Sequence, residues 1–216
     1  MYCKLPLLNL TFLFTETENI FLKVTQRQRY YFSPTIKDSC YLCKLENIEI
    51  MPKEKINKTN ACRLLDQKKI SYELIPYEVD ENDLGAQHIA DQLGEDIDQV
   101  FKTLVLKGDK TGHFVCVIPG NEEVDLKKTA KVTGNKSCDL IPMKELLPLT
   151  GYIRGGCSPI GMKKPFPTFI HETCELFDII YVSAGMRGLQ FKINPQDLIK
   201  AAEMTVADLC PSSSPM

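Results

Sequence analysis

The chain has no tryptophan and only three histidines in 216 residues. His88, His113 and His171 are not spaced as a metal pair, so they read as structural or exposed side chains. No apolar run approaches the ~18–20 residues that a membrane span needs. Neither sign of charge dominates: 26 Lys+Arg stand against 28 Asp+Glu, giving a net charge of −2 and a pI of about 6.0. So balanced a chain is no basic wrapper of nucleic acid. The standard catalytic signatures are missing as well. There is no Gly-x-Ser-x-Gly elbow, no P-loop, no dinucleotide fingerprint and no His-Glu-x-x-His.

What is present is ordinary soluble material, 44% hydrophobic and 25% charged. That suffices for a core without disulfides or a structural metal, in one large domain or two small ones. Nine cysteines lie at 3, 40, 43, 62, 116, 138, 157, 174 and 210. Their odd number and irregular spacing argue for buried, reduced thiols in a cytosolic protein and against a secreted disulfide framework. Cys40 and Cys43 form one CxxC without a second pair, so no metal site is expected.

Met1–Phe14 is mildly apolar, and polar and aromatic residues then alternate without a steady period up to Ile50. Met51-Pro52-Lys53-Glu54-Lys55 looks like a natural start. Residues 1–50 are therefore expected to be an over-extended reading frame or a poorly ordered extension, which intact mass measurement of native protein tests. The domain is expected over 51–209, with a disordered tail over 210–216. Within it, Ala61, Leu64 and Leu65 space a short helix capped by Asn57 or Thr59. Ser71–Tyr77 alternates as a strand, and Asp83 is expected to cap a helix over Gly85–Leu93 that ends at Gly94. Ile97, Val100 and Phe101 suggest a helical turn. Thr103–Lys107 and His113–Ile118 then suggest a hairpin. Helices are expected over Leu126–Val132 (capped by Asp125), Met143–Leu147 and, with Pro195 at its first position, up to Met204. Strands are expected over Thr168–His171, Ile179–Val182 and Leu189–Ile193. Helices mixed with hairpins indicate an α/β (mixed α+β) single domain.

Three places invite a ligand. The loop Tyr152–Pro165 holds three glycines and two prolines, with Lys163 and Lys164 at its rim. Its peptide N–H groups could meet a carbonyl or a phosphate, or the loop is an ordinary basic connection. Cys157 within it has no visible base and reads as a packing thiol. Ser183-Ala184-Gly185-Met186-Arg187-Gly188 follows a strand, either as a ligand loop or as a tight turn. Lys102, among Val100, Phe101, Leu104 and Val105, has a half-buried stem that could aim its ammonium into a cleft.

Together these segments resemble the YbaK/EbsC family. The resemblance is carried by Val100-Phe101-Lys102-Thr103-Leu104-Val105, Gly151-Tyr152, Gly155 through Lys164, and Tyr181 through Leu189, and it runs from about Thr59 to about Leu209. That family comprises Cys-tRNA(Pro)/Cys-tRNA(Cys) deacylases related to the editing domain of bacterial prolyl-tRNA synthetases. The resemblance implies a curved, barrel-like mixed sheet flanked by helices, cytoplasmic work in translation quality control, and no cofactor. It implies Lys102 as the essential lysine and Gly155 and Gly156 as the loop approaching the substrate carbonyl. It places Tyr77, Ser183 and Arg187 at the substrate, and Ser158 and Pro159 of the glycine-rich loop join that set. It also implies attack by the cysteinyl thiol on its own carbonyl. Two positions depart from the pattern: Gln190 stands where many members have aspartate, and Leu84 where some have a pocket phenylalanine.

The expected partners are the acceptor end of an aminoacyl-tRNA and prolyl-tRNA synthetase in a ternary complex. Residues 51–216 carry 20 Lys+Arg against 23 Asp+Glu, too little positive charge for tight tRNA binding unaided. Lys102, Lys127, Lys128, Lys131, Lys163, Lys164 and Arg187 form either a local basic rim or a scatter of solvated charges. Two other readings are a deacylase for another mischarged tRNA, such as Ala-tRNA(Pro), and a non-catalytic tRNA- or synthetase-binding regulator on the same fold.

Overall fold

The computed structural model describes residues 58–211 apart from 82 and 84, all within one compact unit. The expectations for residues 1–50 and for Leu84 lie outside the described residues, as do residues 212–216. Cys210, assigned to the tail from sequence, is buried, and its carbonyl accepts from Lys128 Nζ at 2.8 Å.

Five helices flank an eight-stranded mixed sheet. The helices are α1 (Asn60–Gln67), α2 (Ala86–Leu93), α3 (Leu126–Val132), α4 (Met143–Thr150) and α5 (Pro195–Ala202). The strands are β1 (Glu73–Pro76), β2 (Val100–Gly108), β3 (Gly112–Pro119), β4 (Cys138–Leu140), β5 (Thr168–His171), β6 (Ile180–Ser183), β7 (Leu189–Ile193) and β8 (Thr205–Ala207). Their order is β1-β7-β6-β2-β3-β5-β8, an open path, with β4 paired to β2 off that path.

Period-two alternation divides the core. Phe101, Val105, Val115 and Val117 turn to one face, where they meet α1, α5 and Tyr152, Cys157 and Ile160. Leu106, Phe114, Cys116 and Ile118 turn to the other, against Ala130 of α3. Val100 and Tyr181 meet Ile89 and Ala90 of α2 there.

Caps explain most helix boundaries. Thr59 Oγ1 accepts from Cys62 N, Asp125 from Lys127 N and Lys128 N, and Asn194 from Gln196 N and Asp197 N. Asp83 does not cap α2. Its carboxylate accepts from Gly85 N at 2.9 Å, and Gly85 itself is the N-cap, without a side-chain bond. The helical turn expected over Ile97–Phe101 is a 3-10 turn over Ile97–Gln99, after which Val100 and Phe101 already belong to β2. Lys102, expected between that turn and a strand beginning at Thr103, therefore sits inside β2.

The feature that places the site is a split beside β2. On one edge β2 pairs with β3 along its length. On the other, β6 pairs only Val100 and Phe101, and β4 pairs only from Leu106 onward. Gly120 N–H, just past the end of β3, donates to Val100 O, so even-numbered residues of β2 turn their peptides to β3 and odd-numbered ones away. Val105 O, on the away side, accepts from Ile141 N. Thr103, between these two attachments, has no strand opposite it on this edge.

Candidate functional site

The split opens into a cleft of about 560 Å³, within the range of small-molecule sites. Its lining includes Lys102 and Thr103 of β2, Ser183 of β6, Gln190 of β7, and Arg154, Gly155 and Cys157 of the glycine-rich loop. Three of these fall in one row. Gln190 is paired with Ser183, and Lys102 lies one residue beyond the last β2–β6 pair, abreast of Ser183.

Lys102 Nζ donates to Gly120 O at 3.0 Å, which leaves two of its three donors for a ligand. Burial pushes its pKa below the ordinary lysine value, and the charges of Glu123 and Glu122 counter that only in part. Two buried polar atoms at the cleft have no partner: Thr103 Oγ1 and Gln190 Oε1. Gln190 is only 3% exposed, so its empty acceptor is a cost that a donor on a ligand would remove. Burial drives the Cys157 thiol up to about 12, so it is no nucleophile near neutral pH.

The two glycine-bearing loops meet back to back. A Cβ on Gly156 would lie 2.9 Å from Arg187 N and 3.0 Å from the Met186 carbonyl carbon. Tyr152 locks the same junction. Its hydroxyl donates to Ile160 O at 2.7 Å, and its ring lies where a side chain on Gly185 would go. Arg187 Nε donates to Arg154 O at 2.9 Å, so Arg187 braces the neighbouring loop; it is not among the cleft-lining residues. Tyr77 N–H donates to Gly188 O at 3.0 Å, and its hydroxyl stands 3.5 Å from Gly155 O. Ser158 and Pro159 are buried beneath the loop, with Ser158 Oγ accepting from Ile160 N. Gly155 and Gly156 differ in their free groups. Gly156 N–H donates to Ile153 O at 3.0 Å, whereas no such bond engages the Gly155 N–H.

Sequence reasoning missed Gly120 and Thr103. Gly120 follows the strand in a Pro119-Gly120 pair, a turn signal that gave no hint of the lysine it would receive. Among the described residues no His, Cys, Asp and Glu group could hold a metal ion, and no helix is long and apolar enough to cross a membrane.

Residues 81–201, more than half of the chain, match the model of the aminoacyl-tRNA editing domain. The chain belongs to that family, the class of the trans-editing aminoacyl-tRNA deacylases. It is 46% identical over 152 residues to EbsC of Enterococcus faecalis, named as a candidate Cys-tRNA(Pro)/Cys-tRNA(Cys) deacylase, covering 70% of this chain and 93% of that one. It is 31% identical over 78 residues to a proline–tRNA ligase of Fervidobacterium nodosum, covering 36% of this chain and 13% of the ligase. A crystal structure of a candidate trans-editing enzyme for prolyl tRNA synthetase shares the fold, with a TM-score of 0.62 at 23% identity over 71% of this chain and 98% of that one.

Proposed function

We propose that this protein clears cysteine from Cys-tRNA(Pro), acting in trans to prolyl-tRNA synthetase. The observation that carries the reading is the cleft itself. It offers a fixed ammonium and an empty buried acceptor, and its own thiol is held protonated. A proline-sized pocket in the synthetase discriminates poorly against cysteine, because small side chains differ by only a few kcal/mol in such pockets.

The substrate then supplies its own nucleophile. The cysteinyl sulfur attacks its ester carbonyl carbon, the C–O bond to the ribose breaks, and the thiol proton ends on the ribose oxygen. A cyclic thiolactone and free tRNA result. The protein positions and stabilises. Lys102 faces the ester and ribose with its two free donors. Gly155 N–H is the open loop donor for the carbonyl oxygen. Gln190 Oε1 accepts from the α-ammonium, which it can hydrogen-bond without neutralising.

A panel of charged tRNAs tests this. Cys-tRNA(Pro) should be deacylated, Ser-tRNA, lacking the thiol, should be spared, and Lys102→Ala should lower the rate by about 100-fold or more. Survival of Cys-tRNA(Pro), or an unchanged rate in the Lys102 variant, would refute the mechanism. Loss of Ala-tRNA(Pro) instead would move the protein to the other editing reading.

A further inference from the structure

Beside the cleft runs an apolar strip that the fold leaves bare. Leu140, Met143 and Leu147 are 52%, 57% and 50% exposed. Met143 and Leu147 share one face of α4, four residues apart, and Leu140 precedes them at the end of β4. Ile141 and Leu146 are partly buried against the main core and line the cleft as well. Single exposed apolar residues are common on soluble proteins, whereas a contiguous run marks an interaction surface. This run is continuous with the site, because Leu140 and Met143 line the cleft together with Lys102.

The two sides of the mouth differ in charge. After Gly120 come Glu122 and Glu123, close enough for their charges to act on Lys102. The α4 side carries Lys144 and Lys163 as well as Glu145 and, beside Leu140, Asp139. Lys163 lays its stem where a side chain on Gly151 would sit and donates to Leu147 O at 3.4 Å. Arg154 lines the cleft. A polyanion leaving the mouth meets only carboxylates on the first side, whereas on the second Lys144, Lys163 and Arg154 outnumber Asp139 and Glu145.

An aminoacyl ester joins the amino acid to the last ribose, so an amino acid in the cleft brings a nucleobase to the mouth. We propose, on the editing reading above, that Leu140, Met143 and Leu147 form the platform for the terminal adenine, and that the acceptor strand leaves over α4, away from the β3–α3 turn. Contact between a purine face and a polarizable thioether flanked by leucines gives affinity without reading a base edge. That suits a nucleotide shared by all tRNAs. Lys144, Lys163 and Arg154 then follow the phosphates.

The test compares 2′(3′)-O-cysteinyl-adenosine with cysteine ethyl ester, which lacks the base. In Met143→Asp and in Leu147→Asp, the ratio of kcat/KM on the nucleoside ester to that on the ethyl ester should fall about tenfold. Met143→Phe should keep the ratio. Leu176→Asp, at an apolar residue 77% exposed outside the cleft lining, should leave it unchanged. Thermal melting establishes that each variant is folded, and binding of the trinucleotide CCA supplies a readout free of chemistry. An unchanged ratio in both aspartate variants overturns the platform. So does a change in oligomeric state or synthetase binding at constant ratio, which would assign the strip to a protein partner. If the wild type cleaves neither ester, the editing reading is decided by the charged-tRNA panel above. The platform is then judged on CCA affinity, which must weaken in Met143→Asp.

Discussion

Lys102 depends on a residue without a side chain. A Cβ on Gly120 would stand 2.4 Å from Ala86 Cβ and 2.9 Å from Val100 O, so only glycine brings that carbonyl under the ammonium. The lysine's lowered pKa has a signed consequence. A rate that needs the ammonium declines as pH rises through a value below 10.5. Stability shifts over the same range for a different reason. The thiols of Cys116, Cys157 and Cys210 are raised from 9.0 to about 12 by burial, so the unfolded chain loses those protons first. Their contribution is complete below pH 9 and is lost between 9 and about 12. Lys102→Arg, charged throughout, separates the two. Its residual deacylation should lack the alkaline decline, while its alkaline unfolding follows the wild type by circular dichroism.

At the scale of elements, the wall of the cleft is two loops in main-chain contact. Gly156→Ala forces a methyl group against the backbone of Met186 and Arg187, which cannot move aside as a flexible side chain would. We expect a loss of about 1–3 kcal/mol in thermal or urea unfolding, with kcat falling more than KM rises if, as proposed, the loops carry the groups that orient the ester. Local patterns revealed many elements. Leu126–Val132 with its Asp125 cap, Thr168–His171 and Leu189–Ile193 lie where periodicity and caps put them. α4 continues to Thr150 through Pro148, beyond the stop that proline suggests. β4 and β8, at three residues each, are too short to carry an alternation. Lys102, Gly155, Ser183 and Gln190 were singled out by resemblance, and all four line the cleft. The split itself has no local signal. It depends on where β6 and β4, distant in sequence, stop pairing with β2, and Gly120 and Thr103 acquire their roles only through it.

At the scale of the molecule, the slight excess of acidic residues bears on how the proposed substrate would be held. Lys128, one of the lysines of the expected basic rim, is committed to Asp208 at 2.7 Å and to Cys210 O. The protein alone should therefore bind tRNA weakly, with few phosphates neutralised. Between 50 and 200 mM salt its affinity should fall by less than the ~10³-fold typical of proteins making six or more phosphate contacts. Adding prolyl-tRNA synthetase should raise the deacylation rate at low tRNA concentration. Nanomolar affinity for free tRNA at physiological salt would contradict this. The opening beside β2 is a missing rung in a hydrogen-bond ladder and not a hole between side chains, so its position is set by strand register, which substitutions on the walls do not shift. Gln190 stands on such a wall, so a substitution there changes what lines the cleft while the opening stays where the backbone put it.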